Sequence, residues 1–241
     1  MTVAVARRGD AEPVDARRLG MLRARYAGLD GAELLRPLIE REFPGRIAVV
    51  SSFGAESVLL LDLVAAIDAR VPVIFLDTGK HFVETLAYRD LVTARLGLQD
   101  VRSVRPSPLD LKAEDPEGTL WRRDPDRCCH LRKVLPLERA LAGFTAWITG
   151  RKRFHGEARA ALDTLELVDG RIKVNPLAHW RAADIAAAVA ARALPVHPLV
   201  AEGYGSIGCA PCTAKSLPDE GLRSGRWAGL AKSECGIHNA R

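Results

Sequence analysis

Two short β-branched runs, each breaking off into small polar residues and each followed by an apolar stretch of helical spacing, constrain this chain most. The first is 46–52, Arg46-Ile-Ala-Val-Val-Ser-Ser, ahead of a strongly apolar helix expected over 56–68. The second is 71–76, Val71-Pro-Val-Ile-Phe-Leu, ahead of a helix expected over 81–96. Strand, helix, strand, helix at this spacing predicts right-handed crossovers and an α/β fold: a mostly parallel twisted sheet with helices on both faces. Further strands are expected at 101–104 and 145–150. Residues 165–174 have the shape of a hairpin turning at Asp169-Gly170. Helices are expected over 31–42, 124–141 and 181–192. Residues 1–30, rich in Ala and Arg, read as an irregular arm with one short helix. Beyond Pro195 the chain is rich in Gly, Pro, Ser and Cys, so irregular structure and a flexible C-terminal tail are expected. The division predicted is an arm over 1–30, one α/β domain over 31–200 and a tail over 201–241.

A length of 241 residues suits one such domain and not two. Hydrophobic residues at 48% and charged residues at 27% are those of a soluble globular protein. No run approaches the roughly 18 to 20 apolar residues a membrane span needs, so no membrane partner is expected. Residues 1–10 carry arginines but no apolar core, so no secretory signal is read and a cytoplasmic location is expected. The net charge of +5 fits an anionic small molecule, nucleic acid, or a plain excess of surface arginine. No aromatic interleaving or recognisable RNA or DNA module accompanies it, so nucleic acid is not expected as a partner. A homo-oligomer is compatible with the sequence.

The five cysteines fall as two, two and one. Cys128 and Cys129 are adjacent, Cys209 and Cys212 form a CxxC, and Cys235 stands alone. An odd number in a reducing compartment argues against a disulfide framework, and adjacent cysteines strain disulfide geometry. Four soft thiolates match the ligand number of zinc or of a 4Fe-4S cluster. Structural zinc usually spaces both of its pairs, which a contiguous pair does not. Cys235 lies in Lys232-Ser-Glu-Cys-Gly-Ile-His238, where nearby cations would favour the thiolate.

In an open parallel sheet, ligands bind beyond the carboxyl ends of the strands. Ser51-Ser-Phe-Gly-Ala-Glu-Ser57 occupies that place after the first strand. Gly54 and the small neighbours let backbone amides approach a phosphate at a helix N-terminus, and Ser51, Ser52 and Ser57 add hydroxyls. An ordinary strand-to-helix turn would look the same, and neither the GxxxxGKS loop nor the GxGxxG fingerprint is present. The second strand likewise ends in polar, Gly-containing Leu76-Asp-Thr-Gly-Lys-His81. Arginines at Gly150-Arg-Lys-Arg153 and Arg223-Ser-Gly-Arg226-Trp227 suit bidentate recognition of phosphate and sulfate.

The pair SSFGAES and LDTGKHF resembles two loops of the adenine nucleotide α-hydrolase-like sulfonucleotide reductases. The pattern CCxxRKxxPL with a downstream CxxC resembles the cluster-binding sequence of the assimilatory adenylyl sulfate reductases within that family, and KxECGxH resembles their catalytic tail. The resemblance covers about residues 30–240. It implies one 4Fe-4S cluster per subunit on Cys128, Cys129, Cys209 and Cys212, with Lys133 linking cluster and substrate electrostatically. It implies adenine held near Leu76, and Arg151, Arg223, Arg226 and His238 against the substrate. Cys235 would attack the sulfur of adenylyl sulfate to give an S-sulfocysteine, from which thioredoxin or a similar dithiol releases sulfite, in sulfate assimilation and cysteine biosynthesis. Departures are His155 and Gly156, where many relatives carry Gln and Ser, and Val83 in place of a common proline. The competing expectation is reduction of 3′-phosphoadenylyl sulfate. More remote are a tRNA-thiolating or ATP-pyrophosphatase enzyme, which should carry an SGGxDS loop, and a zinc-dependent nucleic-acid module.

Overall fold

The computed structural model describes residues 12–156, 159–217, 221–229, 232 and 234–238. Six strands form one sheet among these residues: β1 (Ile47–Val50), β2 (Val73–Leu76), β3 (Val101–Val104), β4 (Ala146–Ile148), β5 (Leu165–Val168) and β6 (Arg171–Val174). Their order is β3-β2-β1-β4-β6-β5, parallel throughout except for the β5–β6 hairpin. Successive strands step outward from β1 through β2 to β3, then return to the other side of β1 with β4. That reversal places the switch point between β1 and β4, so the crevice opens where residues after Val50 and after Ile148 leave the sheet.

The helices are α1 (Ala16–Arg25), α2 (Gly31–Pro37), α3 (Ser57–Asp68), α4 (Val83–Leu96), α5 (Pro108–Glu114), α6 (Leu120–Arg123), α7 (Pro125–Cys129), α8 (Leu135–Ala140), α9 (Ala182–Ala191) and α10 (Pro198–Ala201). Side chains alternate along each strand, and both sheet faces are covered. Ile47 and Val49 join the larger core with Leu34, Leu35 and the buried side of α3. Ala48 and Val50 join a smaller one with Leu137, Phe144 and Trp147, against which Ile237 of the tail also packs. α3 buries Val58, Leu59, Leu60, Leu61, Leu63 and Val64, which is why its sequence is apolar nearly all round.

The expected strands and long helices are present, with shorter ends. The first strand stops at Val50 rather than at residue 52, because Ser51 and Ser52 already belong to the loop. The helix expected from residue 81 begins at Val83: His81 instead bridges to Cys209, and its Nε2 lies 3.0 Å from Leu76 O. The stretch 124–141 is helical but not uniform. α7 and α8 are joined by a widened π turn, His130–Val134, a feature that hydrophobic periodicity does not signal. Helices α5, α6 and α10 are too short for that signal as well. Residues 1–11 of the expected arm lie outside the described residues. From Val14 the arm is tied to the sheet, with Val14 N donating to Gly170 O at 2.7 Å and Arg23 Nη2 donating to Leu165 O at 2.8 Å, while Leu22 enters the main core.

Among the described residues one fully buried strand residue breaks the apolar pattern. Lys173 on β6 stands beside Trp147, its register partner on β4, is 1% exposed, and places Nζ 4.9 Å from the centre of the Trp147 ring. Burial, reinforced by the positive charge of Arg151, pushes its ammonium down to about 8. The unfolded chain therefore binds more protons than the folded one between pH 8 and the usual lysine value of about 10.4, so this group makes stability rise with pH in that window. Lys173→Met should stabilise the protein at pH 7, and its advantage over the wild type should shrink as pH rises toward about 10. Urea denaturation of both proteins at pH 7 and pH 10 reads the difference.

Candidate active site

The loop after β1 is held in one shape by its own side chains. Phe53 adopts a left-handed backbone (φ 48°), strained for an aromatic residue, and its fully buried ring packs edge-on against Phe75. Ser51 Oγ accepts from Phe53 N at 3.1 Å, and Ser57 Oγ donates to Gly54 O at 2.8 Å. The Ser57 hydroxyl proton thus closes the turn instead of facing outward. Gly54 is required by a close approach: a Cβ there would lie 2.9 Å from Ile207 O. The phosphate-type loop and the segment at 205–208 are consequently packed face to face.

All of the proposed substrate-side positions line one cleft at the switch point. Ser51, Ser52, Gly54 and Ser57 form one wall, with Leu76 beyond them. Lys133 comes from the turn between α7 and α8, Arg151 from the loop after β4, and Arg223, Arg226 and His238 from the tail. Cys235 opens into the same space, which is open to solvent. Six cationic side chains line the cleft against two carboxylates, Glu56 and Glu234, so it is built for an anion. Burial, reinforced by the charge of Arg159, holds Arg223 down to about 10. Arg226 lies over Trp227, 4.3 Å from the ring centre, and against Gly208, where an added Cβ would come within 2.5 Å of the guanidinium. Burial, then the positive charges of Lys173 and Arg151, keep His238 well below the usual imidazole range, so it is neutral.

The four remaining cysteines meet in a second, smaller cavity. Cys128 and Cys129 reach it from the end of α7, while Cys209 and Cys212 come from a turn pinned to the LDTG loop by the His81–Cys209 bridge. Ala210 N donates to Lys80 O at 2.7 Å, and Thr78 Oγ1 lies 3.3 Å from Cys209 Sγ. Burial pushes the Cys128 thiol up to about 11. Among the described residues no group of three or more His, Cys, Asp or Glu side chains is arranged to hold a metal ion. Trp227 Nε1 is buried with no hydrogen-bond partner among the described residues, and Trp227 lines this cavity. Four soft donors, a nearby hydroxyl and an indole N–H give this cavity the donor chemistry that suits a sulfur-ligated metal group.

Lys133 lines both cavities, as does Trp227. Burial alone would lower the Lys133 ammonium, yet Cys209, Cys235 and Cys129 more than offset this and raise it. Cys235 is held well below the usual thiol range by the neighbouring Cys129 thiol, and then, against its burial, by the positive charge of Lys133. Lys232, also an expected escort of Cys235, instead pairs with Asp126 on α7 and lies over Trp227. Behind the cysteine pair, Arg132 Nη2 donates to Asp115 Oδ2 at 2.5 Å and Nη1 to Thr78 O at 2.8 Å, tying the π turn to the LDTG loop.

Sequence reasoning missed several lining residues. Lys152 stands in the arginine segment with no role implied, His155 appears there only as a departure from the family pattern, and Glu56, Arg159 and Glu234 carry no motif role. Lys152 Nζ donates to Glu56 Oε2 at 2.7 Å, and Arg159 pairs bidentately with Glu234. Burial would raise the Glu56 carboxyl, but His155 and Lys152 hold it down to about 2. Arg159 sits in an Ala/Arg stretch with no motif around it; the signal available was the surplus of cations facing a loop already marked for an anion.

The chain matches the family model described as phosphoadenosine phosphosulfate reductase domain over residues 46–215. A protein of Mesorhizobium japonicum named adenosine 5′-phosphosulfate reductase is 51% identical over 230 residues, 95% of this chain and 91% of that protein. The crystal structure of phosphoadenylyl-sulfate (PAPS) reductase from Candida auris, in a phosphate complex, matches with a TM-score of 0.70 at 28% identity, covering 86% of this chain and 100% of that one. Yeast FAD synthetase in complex with FAD matches with a TM-score of 0.51 at 16% identity, over 83% and 75% of the two chains, and shares the fold alone. No helix among the described residues is long and apolar enough to cross a membrane. With its adenine nucleotide α-hydrolase-like sheet and a match spanning most of its length, the chain belongs to the phosphoadenosine phosphosulfate reductase family.

Proposed function

We propose that this protein reduces adenosine 5′-phosphosulfate to sulfite and AMP, with Cys235 as the nucleophile, within assimilatory sulfate reduction. The observation that carries the reading is the placement of Lys133, which lines the cationic cleft beside Cys235 and also the cavity of Cys128, Cys129, Cys209 and Cys212. Relatives named adenosine 5′-phosphosulfate reductase, at 43–51% identity, support the substrate. A cluster set of cysteines favours it over the 3′-phosphorylated form, since the resembled reductases restricted to the latter generally lack that set.

The anhydride would lie between the serine loop and Arg151, Arg223 and Arg226, with adenine near Leu76. The Cys235 thiolate attacks the sulfonyl sulfur, the sulfur–oxygen bond to phosphate breaks, and AMP departs with that electron pair. Cations around the departing phosphate stabilise the charge that develops on it. Cys235 is left as an S-sulfocysteine. A dithiol reductant, thioredoxin by resemblance, then attacks the Cys235 sulfur, releases sulfite and leaves a mixed disulfide that its second thiol resolves. The two electrons that take sulfur from sulfate to sulfite come from that dithiol. Cys128, Cys129, Cys209 and Cys212 would hold a 4Fe-4S cluster, which when bound supplies a fixed negative charge that anchors Lys133. Lys133 in turn orients toward the substrate and the Cys235 sulfur. Cys209 is pinned through His81 to the loop that leads from Leu76, so the cluster ligands and the adenine wall share one support.

Three outcomes check this. Sulfite assays with the dithiol reductant should show turnover on adenylyl sulfate well above that on its 3′-phosphorylated form; the reverse preference would reassign the substrate. Cys235→Ser should abolish sulfite formation while AMP binding and absorbance near 400 nm persist, whereas Cys212→Ser should lose that absorbance. Gly208→Ala should displace the Arg226 guanidinium and weaken AMP binding by roughly 10- to 100-fold, the loss of about 1.5 to 3 kcal/mol of charge-assisted hydrogen bonding. Isothermal calorimetry measures it.

A further inference from the structure

The two carboxylates in the cationic cleft are joined by one chain of polar contacts. Glu56 belongs to the phosphate-type loop, and Glu234 directly precedes Cys235. Between them runs the segment after β4. Lys152 Nζ contacts Glu56 Oε2 at 2.7 Å, and His155 Nε2 lies 2.9 Å from the same oxygen, off the ideal hydrogen-bond axis. Arg159 Nη1 lies 3.3 Å from His155 Nδ1, which, since a guanidinium only donates, makes Nδ1 the acceptor and leaves the proton on Nε2 toward Glu56. Arg159 then grips Glu234 with both arms, Nε to Oε1 at 2.5 Å and Nη2 to Oε2 at 2.8 Å. The Arg159 side chain is 6% exposed and that of Glu234 13%, so the pair is shielded from water.

A bidentate, desolvated arginine–carboxylate pair fixes direction as well as distance. On the far side of Cys235, His238 N donates to Cys235 O at 2.9 Å, and Ile237 packs on the Trp147 face of the sheet. The thiol is therefore held from both flanks, and one flank leads back to the loop expected to hold phosphate. Given the reading of Cys235 as nucleophile, on which this rests, we propose that Arg159, steadied by His155, is a positioning residue: through Glu234 it sets the thiol in line with the sulfonyl group and ties that placement to the phosphate loop. Its second effect is to offset the charge of Glu234, whose other ion pair, with Arg223 Nη2 at 3.9 Å from Oε1, is the longer one, so that less negative charge faces an anionic substrate.

The two effects separate in a double variant. Arg159→Gln should raise KM, because Glu234 is unmasked, and should slow S-sulfocysteine formation in a single turnover without reductant by about 10- to 100-fold, the scale of a thiol misplaced by about 1 Å. Arg159→Gln combined with Glu234→Gln should restore KM while leaving the transfer slow. Transfer at the wild-type rate in the double variant would overturn the assignment, reducing the pair to charge compensation. If Arg159→Gln does not fold, His155 decides: His155→Gln, whose amide can both donate to Glu56 and accept from Arg159, should keep the transfer rate, and His155→Leu should lower it. An unchanged rate in His155→Leu would overturn the proposal. Intact-mass detection of the adduct on wild-type Cys235 keeps the tests distinct: no adduct removes the nucleophile reading itself, whereas an adduct formed equally fast in the folded Arg159 variant removes only the positioning role.

Discussion

Lys133 stands where the two cavities meet, and the arrangement of the rest follows from the cost of keeping an ammonium there. A buried cation without partners loses several kcal/mol of solvation and tends to neutralise. Here the balance is reversed by sulfur: Cys209, Cys235 and Cys129 raise its basicity despite burial. The charge is needed by both sides. It faces thiols on one side and, across the cleft, the place where an anion would develop further charge. Removing either neighbour would leave the other uncompensated, which makes the cysteine cavity and the substrate cleft one electrostatic unit.

The backbone that holds Lys133 is accordingly unusual. The π turn His130–Val134 widens the helix between α7 and α8, and the residues it carries, Arg132 and Lys133, are those that reach across to the LDTG loop and the thiols. Arg132 is itself buried and paired with Asp115; it lines only the cysteine cavity, whereas Lys133 lines both cavities. The same logic governs the cleft. Glu56 and Glu234 are not flaws in an anion site, because each is matched by cations of the segment after β4 and thereby holds those cations in place.

Much of the architecture was legible because short parallel strands, buried on both faces, appear as β-branched runs ending in small polar residues. β1, β2 and the loops after them could be placed within two residues, and the grouping of cysteines as two, two and one pointed to two separate tasks. Strand order was not legible, since period and propensity say nothing about which strand neighbours which. α5, α6 and the π turn were missed because four to seven residues cannot establish a helical period. Lys173 was invisible for a different reason: its position on β6 looks like a solvent-facing lysine in a hairpin, and only the fold sets it against Trp147 on the sheet face where Ile237 of the tail also packs.

The ion-pair chain from Glu56 to Glu234 shows where sequence patterns stop being informative. Its two ends join segments far apart in the chain, Glu56 with Lys152 and Arg159 with Glu234, and none of these residue types is diagnostic alone. A motif records residues whose chemistry is needed at one spot. Residues that orient such a spot need only reach it, and many side chains in many positions can do so. That difference explains why Cys235 and Lys133 could be singled out through the motifs they share with the resembled family, whereas Arg159, whose guanidinium grips the residue next to the thiol, became visible only when the sheet had brought the switch-point loops and the tail together.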